Sequence, residues 1–196
     1  NVSSGAIYGI QPIETQKTSE KDSFFIDLYN PKASYYESKR ASEMYGSLYF
    51  EQYKLPIKTA RCFAFVGPNL PLNKHFAIGN FINNILNKED IIIRSNGMSI
   101  RSYMYMSDLV VWLLKILIKG ENNTAYNVGS DYPVKIKDLA GIISEDFNSN
   151  VIIQDEGNNE VGNIYVPDIE KTMSLGLAIK INLKIAIDKT IKFYKN

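Results

Sequence analysis

The stretch "IKTARCFAFVG", residues 57 to 67, constrains this chain more than any other. It follows a strongly helical segment and Pro56, runs almost unbroken through apolar side chains, and stops at Gly67-Pro68. A strand that faces water on one side alternates polar and apolar residues. A near-continuous apolar strand after a helix belongs instead to a parallel sheet buried on both faces. Strand-like and helical stretches alternate along the rest of the chain, so the class is α/β.

The other elements follow from spacing. "NVSSGAIYG" reads as the end of a strand turning into a loop. Residues 10 to 34 are polar and irregular, a long loop of the kind that carries function. Residues 35 to 53 place Ala41, Met44, Tyr45, Leu48 and Tyr49 at helical intervals. A helix in "HFAIGNFINNILNK" and short strands around "DIIIRS" and "IRSYMYM" come next. Alternation in "SYMYM" predicts that half of its side chains face the core. Ser107 or Asp108 should cap the helix that follows, and Trp112 with the "LVVWLLKIL" face should be core. "AYNVGS" is a short strand, "VKIKDLAGIISEDF" a helix, and "NIYVPDIEKTMSLGL" and "NLKIAIDKTIKFY" close the chain.

Bulk properties remove several classes of function. A net charge of +1 gives no electrostatic case for nucleic acid or acidic membranes as partners. The longest apolar run, "LVVWLLKILI", is too short to span a bilayer and contains Lys115. The lone Cys62 cannot form an internal disulfide, which favours a reducing compartment such as the cytoplasm. No metal-ligand cluster accompanies the single histidine, His75. The chain opens without methionine, in mid-strand, and reads as a piece of a longer protein.

Chemistry first surfaces in "SYYESKR", residues 34 to 40. A helix sets residues i and i+4 on one face, about 5–6 Å apart at Cβ, so Lys39 stands beside Tyr35. A neighbouring cation stabilises a phenolate, and a phenol so assisted can serve as a general acid or base at a sugar hydroxyl or carbonyl. Among 13 tyrosines, chance alone supplies about one such pair. Its surroundings decide the matter. Ser3-Ser4 stand at the end of a strand, where a hydroxyl can face a bound cofactor.

Taken in order, "SSGAIYG", "SYYESKR", "ARCFAFVGP", "IRSYMYMSDL" and "YNVGS" make a series that resembles the extended short-chain dehydrogenase/reductase family, the NAD-dependent nucleotide-sugar epimerases, dehydratases, decarboxylases and reductases. The resemblance runs from residue 1 to the end and covers the back part of that family's chain. It implies the second half of a Rossmann-type doubly wound parallel sheet, the NAD-binding domain, over residues 1–72. Residues 73–196 would be mainly a small α/β lobe for the nucleotide sugar, with short returns to the sheet near 103–129. The family's glycine-rich pyrophosphate turn would precede residue 1, so these 196 residues alone should bind NAD poorly and turn nothing over.

The resemblance also implies roles. Ser4 would bond the reacting sugar oxygen, Tyr35 would be the acid/base, and Lys39 its partner and a ribose ligand. Phe63 would lie against the nicotinamide. Arg101 would pair with the substrate diphosphate, for which a planar guanidinium fork is suited. Asn127 would lie on the substrate side, and His75-Phe76, at a helix start, near substrate phosphate. Arg94 would stack on the base, where many members carry an aromatic ring. Ala64 replaces a common asparagine, and Asn158-Asn159 a common arginine-proline. The family's 4,6-dehydratases follow their threonine with Asp and Glu, which move protons; Gly5 and Ala6 cannot, which sets that reaction aside. A sugar C4 epimerase, a 4-keto-sugar reductase or a decarboxylase remains, the last because "YYESKR" is close to its "YDEGKR". A non-catalytic nucleotide-binding or scaffold protein is the rival. NAD or NADP is the implied cofactor, and a homodimer through the tyrosine helix the implied assembly.

Overall fold

A computed structural model describes the chain except residues 75, 146, 148, 156–161 and 196. In chain order it runs β1 (Val2–Ser4), a 3-10 turn (Gly5–Tyr8), α1 (Ala33–Tyr53), β2 (Lys58–Cys62), β3 (Phe65–Val66), α2 (Ala77–Leu86), β4 (Ile91–Ile93), β5 (Ile100–Arg101), β6 (Met104–Tyr105), α3 (Met106–Lys119), β7 (Thr124–Val128), β8 (Val134–Lys135), α4 (Ile136–Glu145), β9 (Val151–Ile153), β10 (Ile164–Tyr165), α5 (Glu170–Met173) and α6 (Leu183–Lys195). The main sheet is β1-β2-β7, parallel throughout, as the apolar run requires.

The run itself is two strands. Phe63 N still donates to Val128 O, but Met104 N donates to Ala64 O, so the chain leaves β7 and pairs β3 with β6. Backbone partners change within two residues, something side-chain pattern does not reveal.

Two cores result. Ala60, Met104, Trp112, Ile116, Tyr126, Val128, Ile169 and Leu177 fill the space between the main sheet and α3. The second is built from α2, β4, α4 and α6, with Ile82, Leu139, Ile143 and Ile191 sealed inside. Residues 103–105 run between the two: Tyr103 and Tyr105 pack on the second core, Met104 on the first. Strand alternation therefore divides this segment between cores rather than between core and water.

One local expectation fails. Tyr105 is the residue at the N-terminus of α3, without a side-chain cap, while Asp108 lies inside the first turn. The Asp108 carboxylate accepts instead from Lys180 N (2.9 Å) and Ile181 N (3.0 Å), tying down the approach to α6. The "LVVWLLKIL" helix is core on one side only. Trp112 is fully buried, but Val110, Val111, Leu114, Leu117 and Ile118 are exposed. No helix among the described residues is long and apolar enough to cross a membrane.

Candidate active site

The site forms where β1 ends. Ser4 has extended backbone and its Oγ accepts from Ala6 N (3.1 Å), which caps the 3-10 turn. Pro31 and Asn30 start α1: Asn30 O accepts from Ala33 N (2.8 Å), and Asn30 Oδ1 from Lys32 N (3.0 Å). Two side chains of α1 then lock it against the strand. Lys39 Nζ donates to Val2 O (3.1 Å), and Arg40 Nε donates to Ile7 O (2.7 Å). α1 is thereby held against β1 and the turn that follows it, with Tyr35 half-exposed and the Lys39 ammonium 5.9 Å from the centre of its ring.

Aromatic rings make the floor. Phe63 lies 4.7 Å from Tyr165 and 6.1 Å from Tyr8, centroid to centroid. Burial, the largest influence, pushes the Tyr165 phenol up, while Ser4 and Arg101 pull it down and Tyr35 and Cys62 add to the rise. Gly5 makes this closeness possible. A Cβ there would lie 2.7 Å from the Phe63 ring and 2.8 Å from the Tyr165 hydroxyl. Sequence reasoning missed Tyr165, because only the β10–β5 pairing, which sets it opposite Arg101, brings it here.

Arg101 is partly buried, and its Nη1 donates to Ile100 O (2.8 Å) and Asn163 O (2.6 Å). Desolvation lowers its pKa, opposed by Tyr103 and Tyr165. It forms no salt bridge among the described residues, so a buried cation without a counter-charge faces the Tyr165 side of the site. Phe76 stands half-exposed at the N-terminus of α2, and Arg94 is exposed just after β4. His75 and Asn158-Asn159 lie outside the described residues.

Asn127 is a correction. It is fully buried, and its side chain is already engaged: Nδ2 donates to Thr18 O (2.9 Å) and Asp168 O (3.0 Å), while Oδ1 accepts from Tyr8 OH (2.6 Å). An amide has two donors and one acceptor oxygen, so little remains for a sugar. Asn127 clamps three segments together, an internal role in place of the expected place on the substrate side.

A dinucleotide's ribose and nicotinamide suit the residues at this edge. Tyr35 is open, the Lys39 ammonium has three donors and bonds one protein oxygen among the described residues, and β1 pairs only with β2. Ser3 adds a buried hydroxyl on β1 with no hydrogen-bond partner among the described residues.

The sequence profile of the NAD dependent epimerase/dehydratase family matches residues 1–129. Human dTDP-D-glucose 4,6-dehydratase is 29% identical over 175 residues, which are 84% of this chain and 49% of that protein. UDP-glucuronic acid decarboxylase 2 of Arabidopsis thaliana is 27% identical over 166 residues, 84% of this chain and 37% of that one. Among solved structures, UDP-glucose 4-epimerase of Thermotoga maritima with UDP-glucose superposes with a TM-score of 0.85 at 22% identity, covering 99% of this chain and 62% of that one. The chain thus spans about half the length of the curated relatives it matches first, the 4,6-dehydratases of human, cattle and mouse. Relatives named as 4,6-dehydratases stand beside decarboxylases, so the comparisons give no support to setting dehydration aside on Gly5 and Ala6. With the profile covering most of its length and the Rossmann-type α/β fold matching throughout, the chain belongs to the NAD dependent epimerase/dehydratase family.

Proposed function

We propose that the full-length protein is an NAD(P)-dependent nucleotide-sugar epimerase or 4-keto-sugar reductase working at sugar C4. The observation that carries this is the grouping of Ser4, Tyr35 and Lys39 at the end of β1, with Lys39 drawn in by Val2 O to stand over Tyr35. When bound, NAD or NADP supplies the hydride acceptor or donor at C4. Tyr35 takes the proton from the C4 hydroxyl and returns it, in the role of a positioned general acid/base. Ser4 donates a hydrogen bond to the same oxygen. Lys39 holds a ribose hydroxyl and stabilises negative charge on Tyr35. Arg101, which has no salt bridge among the described residues, receives the diphosphate. Residues 1–72 would serve the cofactor and 73–196 mainly the nucleotide sugar, with Phe76 and Arg94 on the nucleotide side. Ile169 and Leu177, in the core of the main sheet, extend that sheet's contribution beyond residue 129.

Decarboxylation is the second reading, favoured by "YYESKR" and by the relatives named as UDP-glucuronic acid decarboxylases. One experiment separates the outcomes. The full-length protein is given UDP- and dTDP-sugars with cofactor, and the reduced-nicotinamide band, released carbon dioxide and product are followed together. An isomer without net cofactor change means epimerase; net oxidation of added reduced cofactor means reductase. Carbon dioxide means decarboxylase. A 4-keto-6-deoxy product would overturn the argument from Gly5 and Ala6, and cofactor binding without turnover of any sugar would favour a scaffold.

The assembly we propose is a homodimer through α1. Only Ala33 of that helix is fully buried, and Tyr45, Leu48, Tyr49 and Tyr53 are exposed along it. Light scattering of the full-length protein at micromolar concentration should report twice the monomer mass, and a monomer would exclude this use of α1.

A further inference from the structure

Two neighbouring residues of α1 tie that helix to the chain on either side of Ser4. Lys39 Nζ donates to Val2 O, two residues before it, and Arg40 Nε donates to Ile7 O, three residues after it. Lys39 also has a ribose to hold in the reading above. Arg40 is spent inside the protein: Nε on Ile7 O (2.7 Å) and Nη1 on Glu37 Oε1 (3.1 Å), one turn earlier on the same helix. Ile7 is buried and lies in the 3-10 turn that Ser4 caps. The amides just after it turn elsewhere, Gly9 N to Ala6 O (3.2 Å) and Ile10 N to Phe25 O (3.2 Å). The carbonyl at the end of the turn is met instead by Arg40, 33 residues downstream.

The consequence falls on the spacing between Ser4 and Tyr35. Ser4 starts the turn, and Tyr35 stands in the first turn of α1. The two side chains belong to separate elements, so their spacing follows from how α1 lies against the turn. We propose that Arg40 is a positioning residue of the site: by holding Ile7 O it fixes the turn, and Ser4 with it, at the distance from Tyr35 at which both hydroxyls reach one sugar oxygen. This rests on the reading in which Ser4 and Tyr35 share that oxygen. A hydrogen bond from a charged donor is short and strong, which suits it to hold two elements in register. An arginine present only for its pair with Glu37 would not need its Nε turned onto a backbone oxygen.

The test uses the full-length protein and the sugar it turns over, with Arg40→Met, Arg40→Gln, Ser4→Ala, the Ser4→Ala/Arg40→Met double variant and Tyr35→Phe. Glutamine carries its Nε2 as many bonds from the backbone as arginine carries Nε, so it keeps the donor to Ile7 O and loses the charge. Methionine keeps the length and loses both. Arg40→Met should lower kcat by about ten- to a hundredfold, the scale of an ångström of misplacement. KM should stay within about twofold. Arg40→Gln should recover most of the lost rate, whereas a role resting on charge or on the Glu37 pair would slow both variants alike. On top of Ser4→Ala, Arg40→Met should cost less than about twofold, because no hydroxyl is left to place. Wild-type kcat in Arg40→Met, an equal fall in both Arg40 variants, or the full Arg40→Met loss added to that of Ser4→Ala overturns this inference; an inactive Tyr35→Phe beside any of these leaves the reading of the site standing. Wild-type turnover in Tyr35→Phe overturns the reading itself, and this inference with it.

Discussion

The polar group around Arg61 and the polar group around Tyr35 share strands β1 and β2 and differ in what their donors meet. Arg61 donates to both oxygens of Glu43 (2.7–3.2 Å), to Tyr8 OH (2.9 Å) and to Glu20 O (3.0 Å). Tyr8 donates its own hydrogen bond to Asn127 Oδ1, and Asn127 in turn donates to Thr18 O and Asp168 O. Every step is internal, and the ion pair is mostly buried. Around Tyr35 the arrangement is open. Tyr35 is 51% exposed, and Lys39 donates to a backbone oxygen at the strand edge. The first group joins α1, β2, β7 and the loop at residues 18–20 into one body. The second presents groups to a ligand. Tyrosine and a cation occur in both, so residue type does not tell structure from chemistry; the satisfaction of the donors does.

The largest effects should divide along that line. In the full-length protein Tyr35→Phe should cut turnover by about 10²–10⁴, the usual worth of a positioned acid/base, while the melting temperature barely moves. Tyr36→Phe is the control, because the next residue projects about 100° around the helix, and turnover should stay near wild type. Arg61→Met should do the reverse. It strands the Glu43 carboxylate in a mostly buried place, at a cost of about 3 kcal/mol, or a fall of roughly 6–12 °C in melting temperature for a chain of this size. A Tyr35→Phe variant that melts early, or an Arg61→Met variant that melts like wild type, would erase the distinction.

The open group was legible in the sequence because its geometry is local. Tyr35 and Lys39 are one helical turn apart, and Ser4 ends its own strand. The closed group was not, because it is assembled across the chain: Tyr8 meets Asn127, 119 residues away. "YNVGS" offered an asparagine beside a turn glycine and no sign of the tyrosine that would engage it. Asp108 failed as a cap for the same reason, since the amides it accepts from lie more than 70 residues downstream. Tyr165 sat in a stretch to which the sequence pattern assigned no element, and its place depends on which strand is its neighbour. The parallel sheet itself was legible from the apolar run after the helix, although β2 holds only the polar front of that run (Lys58, Thr59, Arg61) and the break between β2 and β3 leaves no mark.

Cys62 sharpens the comparison, because it sits between the two groups. It follows Arg61 on β2 and pairs in register with Ser4. Burial pushes its thiol from an ordinary 9.0 up to about 11, with Lys39 pulling the other way. The folded chain therefore holds this proton more tightly than the unfolded chain does. The stability it contributes is complete below pH 9 and is lost as pH rises toward 11, a window set by the two values themselves. The full loss is on the order of 2 kcal/mol. Denaturant midpoints should fall between about pH 9 and 11, and they should fall less in Cys62→Ala, which has no proton to release there. If Cys62 belonged to the open group its thiol would be solvated, its ionisation would cost the fold nothing, and the two proteins would lose stability with pH at the same rate. Equal slopes would move the boundary of the open group inward past β2; a shallower slope in the alanine variant keeps Cys62 with Arg61, on the closed side.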